Sequence, residues 1–157
     1  MPPTPLHLGL GVLLCRLAPR LGCGALLAGS VVVDLEPGVV MALGLNARLH
    51  GPLHTFTAAL LLGWAAGLAG SLAWQGLGLP CPAASPAHAA VGGIIGWLGH
   101  VLLDSMLYSD ITPLQPLTRE NPLYMILGGA TLPIDYAVSA ALTAWGLIWL
   151  LNQSKTP

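Results

Sequence analysis

The stretch Gly96-Trp97-Leu98-Gly99-His100-Val101-Leu102-Leu103-Asp104-Ser105 places a histidine and a carboxylate four residues apart within a largely apolar run, residues 87–107. On a helix these two side chains share one face, with Cβ atoms roughly 5–6 Å apart. If the run crosses a bilayer, each ionisable group costs about 2.5–3.5 kcal/mol, so both groups are expected to be paired or bound. Two interpretations follow: a chelating pair for a metal ion, or a His–Asp hydrogen bond that locks two helices together.

The composition of the whole chain indicates a membrane protein. Its 157 residues are 55% hydrophobic and only 7% charged, with a mean hydropathy of +0.76, whereas a soluble domain carries about 25% charged residues. We expect an all-α, integral membrane helical bundle that forms a single domain over residues 1–157. The net charge is −1 and the Lys and Arg residues total five, so a nucleic-acid partner is excluded. The three cysteines form no CxxC pair, which argues against a disulfide framework and a thiolate zinc site.

Five apolar runs predict about four to five membrane segments, because the first run is too short to cross alone. Residues 108–129 are polar and rich in proline and are predicted to be irregular. Pro37 is expected to end the second run and residues 38–49 to form a connector. No positive residue precedes the first run, so no cleaved signal peptide is expected. The runs are residues 6–17, 21–33, 56–74, 87–107 and 130–151.

Ionisable side chains gather on one side of this arrangement. When the runs are laid antiparallel, seven groups from four runs reach the same membrane side, and the polar loop that contains Asp110 emerges there too. The opposite side has only Arg16, Arg20 and Lys155 as charges. The sequence therefore predicts a one-sided polar site. The seven residues are His7, Asp34, Glu36, His50, His54, His100 and Asp104.

Imidazoles and carboxylates without a thiolate favour a borderline divalent ion, most simply Zn²⁺, with Mn²⁺ as another possibility. The candidates exceed one tetrahedral site, so the centre is expected to hold one or two ions, a pair lying roughly 3.5–4 Å apart. Glu36 and Asp110 are the candidate catalytic bases. For His7 an interfacial role, and for Glu36 a solvated loop charge, stay open as alternatives. The predicted ligands are His7, Asp34, His50, His54, His100 and Asp104.

At these residues the chain resembles the YdjM-like, membrane-bound metal-dependent hydrolases of bacteria and archaea. The likeness runs through Thr4-Pro5-Leu6-His7, Val33-Asp34-Leu35-Glu36-Pro37, His50-Gly51-Pro52-Leu53-His54-Thr55, Gly99-His100-Val101-Leu102-Leu103-Asp104 and Asp110-Ile111-Thr112-Pro113 with Asn121-Pro122-Leu123. It implies metal ligation by Asp34, His54, His100 and Asp104, with His7 and Glu36 as further candidates, and a location in the inner membrane of a prokaryote. The family form His-Arg-Gly-x-Thr-His-Ser has histidine where this chain has Leu49, so His50 either supplies that ligand from a shifted register or the site has one ligand fewer.

The expected function is therefore hydrolysis of a lipid-borne or membrane-proximal phosphoester by metal-activated water. A non-enzymatic protein that binds or transports a divalent metal is the first alternative. A structural membrane protein with a buried polar lock is another, whereas an intramembrane metalloprotease lacks its His-Glu-x-x-His motif. Three cationic residues lie on the side opposite the site and two on the side of the site, and this difference favours an external site.

Overall fold

The structure is a computed structural model that describes residues 8–153, and all regular structure in that range is helical. Short 3₁₀ turns at Pro19–Leu21 and Gly128–Ala130 precede the second and the last α-helix. Three helices, α2, α4 and α5, pack against one another, and α1 joins the last helix, α6, to them. The α-helices are α1 (Leu8–Leu17), α2 (Cys23–Val32), α3 (Leu35–Ala42), α4 (Phe56–Gly76), α5 (Pro86–Leu107) and α6 (Thr131–Gln153).

Two of these helices, α4 and α5, are long and apolar enough to cross a membrane. The consecutive helices α2 and α3 are bent by 41° at a short break, and they add a third crossing if the bent pair counts as one span. The helix α1 is apolar but has only 10 residues. The predicted last span coincides with α6, several of whose side chains lie outside the described ones. The described residues therefore give two to three candidate membrane spans.

Glycine lets the three central helices approach closely. A Cβ atom at Gly93 of α5 would collide with the backbone of α4 at Gly63 and Gly67, and a Cβ atom at Gly29 of α2 would collide with Gly93 itself. Such small-residue contacts are how helices associate in lipid, where burial of apolar side chains gives no advantage over lipid contact. The glycines of the sequence thus fix how near α2 and α4 come to α5.

The segment around Pro37 differs from the prediction. The helix α2 already ends at Val32, and Pro37 lies in the first turn of a new helix, α3, rather than ending the old one. Proline is tolerated there because the first N–H groups of a helix have no intrahelical partner. Residues 38–42, expected to belong to a connector, are therefore helical, and the break falls at Asp34.

The polar segment after α5 is irregular up to the 3₁₀ turn, as predicted, and it is fixed to the helix ends by hydrogen bonds. The side chain of Asn121 donates to the carbonyls of Ser105 (2.9 Å) and Tyr108 (3.0 Å) at the end of α5. The backbone N–H of Phe56, at the start of α4, donates to the carbonyl of Pro113 at 2.9 Å. The start of α4 and the end of α5 therefore meet under this segment, and the contact of Asp34 with His100 brings the end of α2 to them.

Candidate metal centre

Four ionisable side chains meet where these three helix ends converge. One ligand atom from each of Asp34, His54, His100 and Asp104 lies within 4.8 Å of every other, so this four-residue group could hold a metal ion. Asp34 sits at the break between α2 and α3, His54 just before α4, and His100 and Asp104 on one face of α5. Three of the four residues are almost completely buried, with His54, His100 and Asp104 at 0%, 1% and 2% exposure.

Three of the separations within the group are close to those in the coordination shell of a small divalent ion. Nε2 of His100 lies 3.2 Å from Oδ2 of Asp104 and 3.5 Å from Oδ1 of Asp34, and Nε2 of His54 lies 3.7 Å from Oδ2 of Asp104. Around a tetrahedral ion with bonds of about 2.0–2.1 Å, neighbouring ligand atoms lie about 3.3–3.4 Å apart. The group therefore has both the donors and the spacing for such an ion.

His100 is oriented by a backbone carbonyl. Its Nδ1 lies 2.7 Å from the carbonyl oxygen of Ser30 in α2, and because a carbonyl only accepts, Nδ1 must carry the proton. The close approach of α2 to α5 that permits this bond depends on Gly96, where a Cβ atom would collide with the backbone of α2 at Leu26. The other ring nitrogen, Nε2, is thereby directed toward Asp34 and Asp104.

His54 is oriented in the same way by a carboxylate. Its Nδ1 lies 3.1 Å from Oε2 of Glu36, in the first turn of α3. Oε2 also accepts the backbone N–H groups of Gly51 (3.0 Å) and Leu53 (3.1 Å), so it fixes the whole turn before α4. The hydroxyl of Thr55 then caps α4 by accepting the N–H of Ala58 at 3.0 Å. These bonds leave Nε2 of His54 buried and without a hydrogen-bond partner.

The protonation state of His54 also suits a metal ligand. Burial, together with the neighbouring rings of His50 and His100, lowers the pKa of His54 to about 3. The ring is therefore neutral at pH 7, and since Nδ1 donates its proton to Glu36, Nε2 carries a lone pair. A lone pair that faces a carboxylate is unfavourable unless a proton or a metal cation lies between them, and the 3.7 Å from Nε2 to Oδ2 of Asp104 is too long for the hydrogen bond of a simple His–Asp lock.

A third histidine, His50, lies beside the group. Its ring meets the His54 ring edge-on, with 4.8 Å between ring centroids, and lies against the Tyr108 ring at 4.5 Å. Nδ1 of His50 is 3.0 Å from both carboxylate oxygens of Asp110. The ring is 3% exposed, and its Nε2 is buried and without a hydrogen-bond partner.

The structure brings together four of the six predicted ligands and places His50 next to them. His7, the sixth, lies outside the described residues. The candidate bases Glu36 and Asp110 are both found on the Nδ1 atom of a histidine, which is the position of an orienting group. Sequence reasoning missed Ser30, because the atom that it supplies is a backbone carbonyl that every residue possesses.

No model of a known protein family matches this chain, and no curated protein and no solved structure matches it either. The geometry of the site is therefore the basis for assigning a function.

Proposed function

We propose that this protein is a membrane-bound, metal-dependent hydrolase whose four-residue group holds the ion. The observation that carries the proposal is that both histidines of the group, His54 and His100, have Nδ1 occupied by an orienting acceptor and Nε2 directed toward carboxylates. Metal-binding histidines in proteins have this arrangement, with the second ring nitrogen bonded to a carboxylate or a carbonyl. The resemblance to the YdjM-like hydrolases belongs to the same proposal.

Zn²⁺ is the ion that we propose, with Mn²⁺ as the alternative, because two imidazoles and two carboxylates suit both. Bound there, the ion would supply Lewis-acid activation of water and of an ester oxygen. The chain's own contribution is to hold the ligands rigidly. Glu36 fixes the ring of His54, and Ser30 fixes the ring of His100, in a site from which the surrounding helices exclude bulk water.

A lipid-borne phosphoester is the proposed substrate. An apolar groove of about 340 Å³ lies between the start of α4 and residues 115–116, and its wall includes Leu53 and Thr55 on either side of His54. Leu61 and Leu62 continue the groove along α4, where they are 64% and 45% exposed. Because α4 is apolar enough to cross a membrane, a lipid acyl chain is the natural occupant of that surface.

Transport of the ion is less well supported than hydrolysis. An ion path would need polar side chains through the bundle to its other end. Beyond the site, the described core of α1 and α2 is instead a cluster of Cys15, Cys23 and Leu26, and α4 meets α5 through the glycine contacts at Gly93. An ion held at one end of such a bundle is better placed for chemistry at the membrane surface.

The remaining parts of the proposal concern the membrane. We infer four to five membrane segments, with α1 and α6 adding to the two to three candidate spans, since these two helices pack against each other. The inner membrane of a prokaryote, with the site on the external side, is the proposed location. Cysteine labelling at the exposed ends of the bundle, in intact cells and in lysed cells, would test the side.

Metal content is the first test of the proposed function. Detergent-purified protein should contain at least one equivalent of zinc or manganese by elemental mass spectrometry, and His100→Ala and Asp104→Ala should lose it. His88→Ala is the matched control, because His88 lies at the opposite end of α5 and pairs with Ser85. Loaded protein should then release phosphate or a head group from phospholipid vesicles. A folded protein that binds neither ion would leave the structural lock as the better account.

A further inference from the structure

His50 and Asp110 repeat, beside the four-residue group, the arrangement of its own histidines. Both oxygens of Asp110 lie 3.0 Å from Nδ1 of His50, so Nδ1–H donates to the carboxylate and Nε2 is the ring nitrogen left for another partner. Nε2 is buried and has no hydrogen-bond partner. A buried imidazole nitrogen without a partner costs free energy unless something binds it.

The ring that carries this nitrogen lies next to the group. The His50 and His54 rings meet edge-on, with centroids 4.8 Å apart, and the His54 and His100 centroids are 5.6 Å apart. The three rings therefore form a continuous row from the polar segment to α5. In that row, His54 and His100 already belong to the four-residue group, and His50 does not.

The charges of the region also exceed what one ion balances. Four carboxylates surround the three rings, and the ion pairs that the described residues make there are with histidines. The four arginines of the described residues are all exposed, and none forms an ion pair with these carboxylates. Asp110 is 45% exposed and reaches water, whereas the other three carboxylates are only 2–17% exposed, and their three charges exceed what one divalent ion balances. The carboxylates are Asp34, Glu36, Asp104 and Asp110.

We propose that the centre binds a second divalent cation, with His50 as a ligand through Nε2 and Asp110 as the positioning residue for His50. The proposal rests on the proposed function, since the second ion would share the site of the first. Oδ2 of Asp34, at the same centre, is likewise buried without a hydrogen-bond partner, so the centre has more unpartnered ligand atoms than the ring of His50 alone. Paired ions about 3.5–4 Å apart clamp both the attacking and the leaving oxygen of a phosphoester, which fits the proposed substrate class.

Metal stoichiometry tests the second ion. The full chain, stripped with a chelator and dialysed against Mn²⁺, should contain two equivalents of manganese, and the His50→Gln variant should contain one. The His88→Gln control should keep two. Electron paramagnetic resonance gives an independent readout, because a wild-type pair of ions should show an exchange-coupled spectrum and His50→Gln the spectrum of an isolated Mn²⁺. Asp110→Asn should bind the second ion roughly 10–100-fold more weakly.

The outcomes separate this proposal from the proposed function. One equivalent in the wild type, lost in His100→Gln, would overturn the second ion and leave the hydrolase proposal standing, whereas no bound ion would overturn both. Two equivalents retained in His50→Gln would also overturn the role of His50. If His50→Gln does not give a monodisperse protein, Asp110→Asn serves as the test variant. An unchanged affinity of Asp110→Asn for the second ion would contradict the role of His50 and Asp110 in binding it.

Discussion

Glu36 and His54 are joined by a hydrogen bond of 3.1 Å between Oε2 and Nδ1, and the same oxygen accepts two backbone N–H groups, from Gly51 and Leu53. This one carboxylate thus connects the first turn of α3 to the turn that precedes α4. It fixes the orientation of the His54 ring, and so it fixes the position of Nε2 of His54 relative to Asp104.

Glu36→Gln should therefore weaken metal binding without abolishing it. The amide oxygen can still accept the three hydrogen bonds, but without the negative charge of Glu36 the His54 ring is a weaker metal ligand. Changes of this kind reduce the affinity for the metal roughly 10–100-fold. Competition with a chromophoric chelator would measure the shift. Glu120→Gln, which removes an exposed loop carboxylate, should bind like the wild type. An unchanged affinity in Glu36→Gln would mean that this carboxylate does not tune the site.

Glu36→Ala should have an additional effect on stability. It leaves the N–H groups of Gly51 and Leu53 without their acceptor, at a cost of about 1–3 kcal/mol for each group that stays buried. The variant should therefore unfold at a lower temperature than Glu36→Gln even when both are stripped of metal. Thermal unfolding of the two stripped variants in the same detergent would measure the difference. Equal midpoints would show that these backbone groups find other partners.

Metal removal should destabilise the wild-type protein. An ion that binds only the folded state adds about 2.7 kcal/mol at a concentration one hundred times its dissociation constant. Chelation should thus lower the unfolding midpoint of the wild type and leave that of Asp104→Asn almost unchanged, since in this variant a neutral amide replaces one anionic ligand of the group. Differential scanning fluorimetry with and without EDTA would show it. An unfolding midpoint of the wild type that is the same with and without EDTA would contradict metal binding in the folded protein.

The sequence predicted the parts of this site that depend on local spacing. His100 and Asp104 lie four residues apart, so their shared face follows from helix geometry alone, and the run 87–107 corresponds to α5 within one residue. The gathering of Asp34 and His54 at the same end followed from the order of the apolar runs. These features need no knowledge of how the helices pack.

The orienting contacts could not be predicted in this way. Asp110 meets His50 across 60 residues, and Ser30 meets His100 across 70, so both depend on which helices become neighbours. The role of Glu36 was obscured by Pro37, whose expected helix break hid the short helix α3 that carries the carboxylate. Distances between elements, rather than patterns within them, decide these roles.

Gly93→Ala should loosen the whole bundle. The added methyl group would collide with the backbone of Gly63 and Gly67, neither of which can move aside without separating α4 from α5. Overpacking of this kind costs typically about 1–3 kcal/mol. Gly76→Ala is the matched control, because nothing lies within 4 Å of a Cβ atom there. Thermal unfolding in one detergent should show a lower midpoint only for Gly93→Ala. Equal midpoints would mean that α4 and α5 can separate enough to accommodate the methyl group without loss of stability.

Leu62→Trp should discriminate between long-chain and short-chain phosphoesters. Leu62 lines the apolar groove, and a larger side chain there would displace part of a bound acyl chain. Each lost methylene contact is worth about 0.8 kcal/mol, so two of them reduce kcat/KM roughly tenfold. A short-chain phosphoester, which does not reach the groove, should be hydrolysed as by the wild type. Leu72→Trp, on the distant half of α4 and 71% exposed, should affect neither substrate. An equal loss of kcat/KM for both substrates would mean that the acyl chain does not bind in this groove. Metal content should be the same in the wild type and both variants, which would show that the ion site is intact.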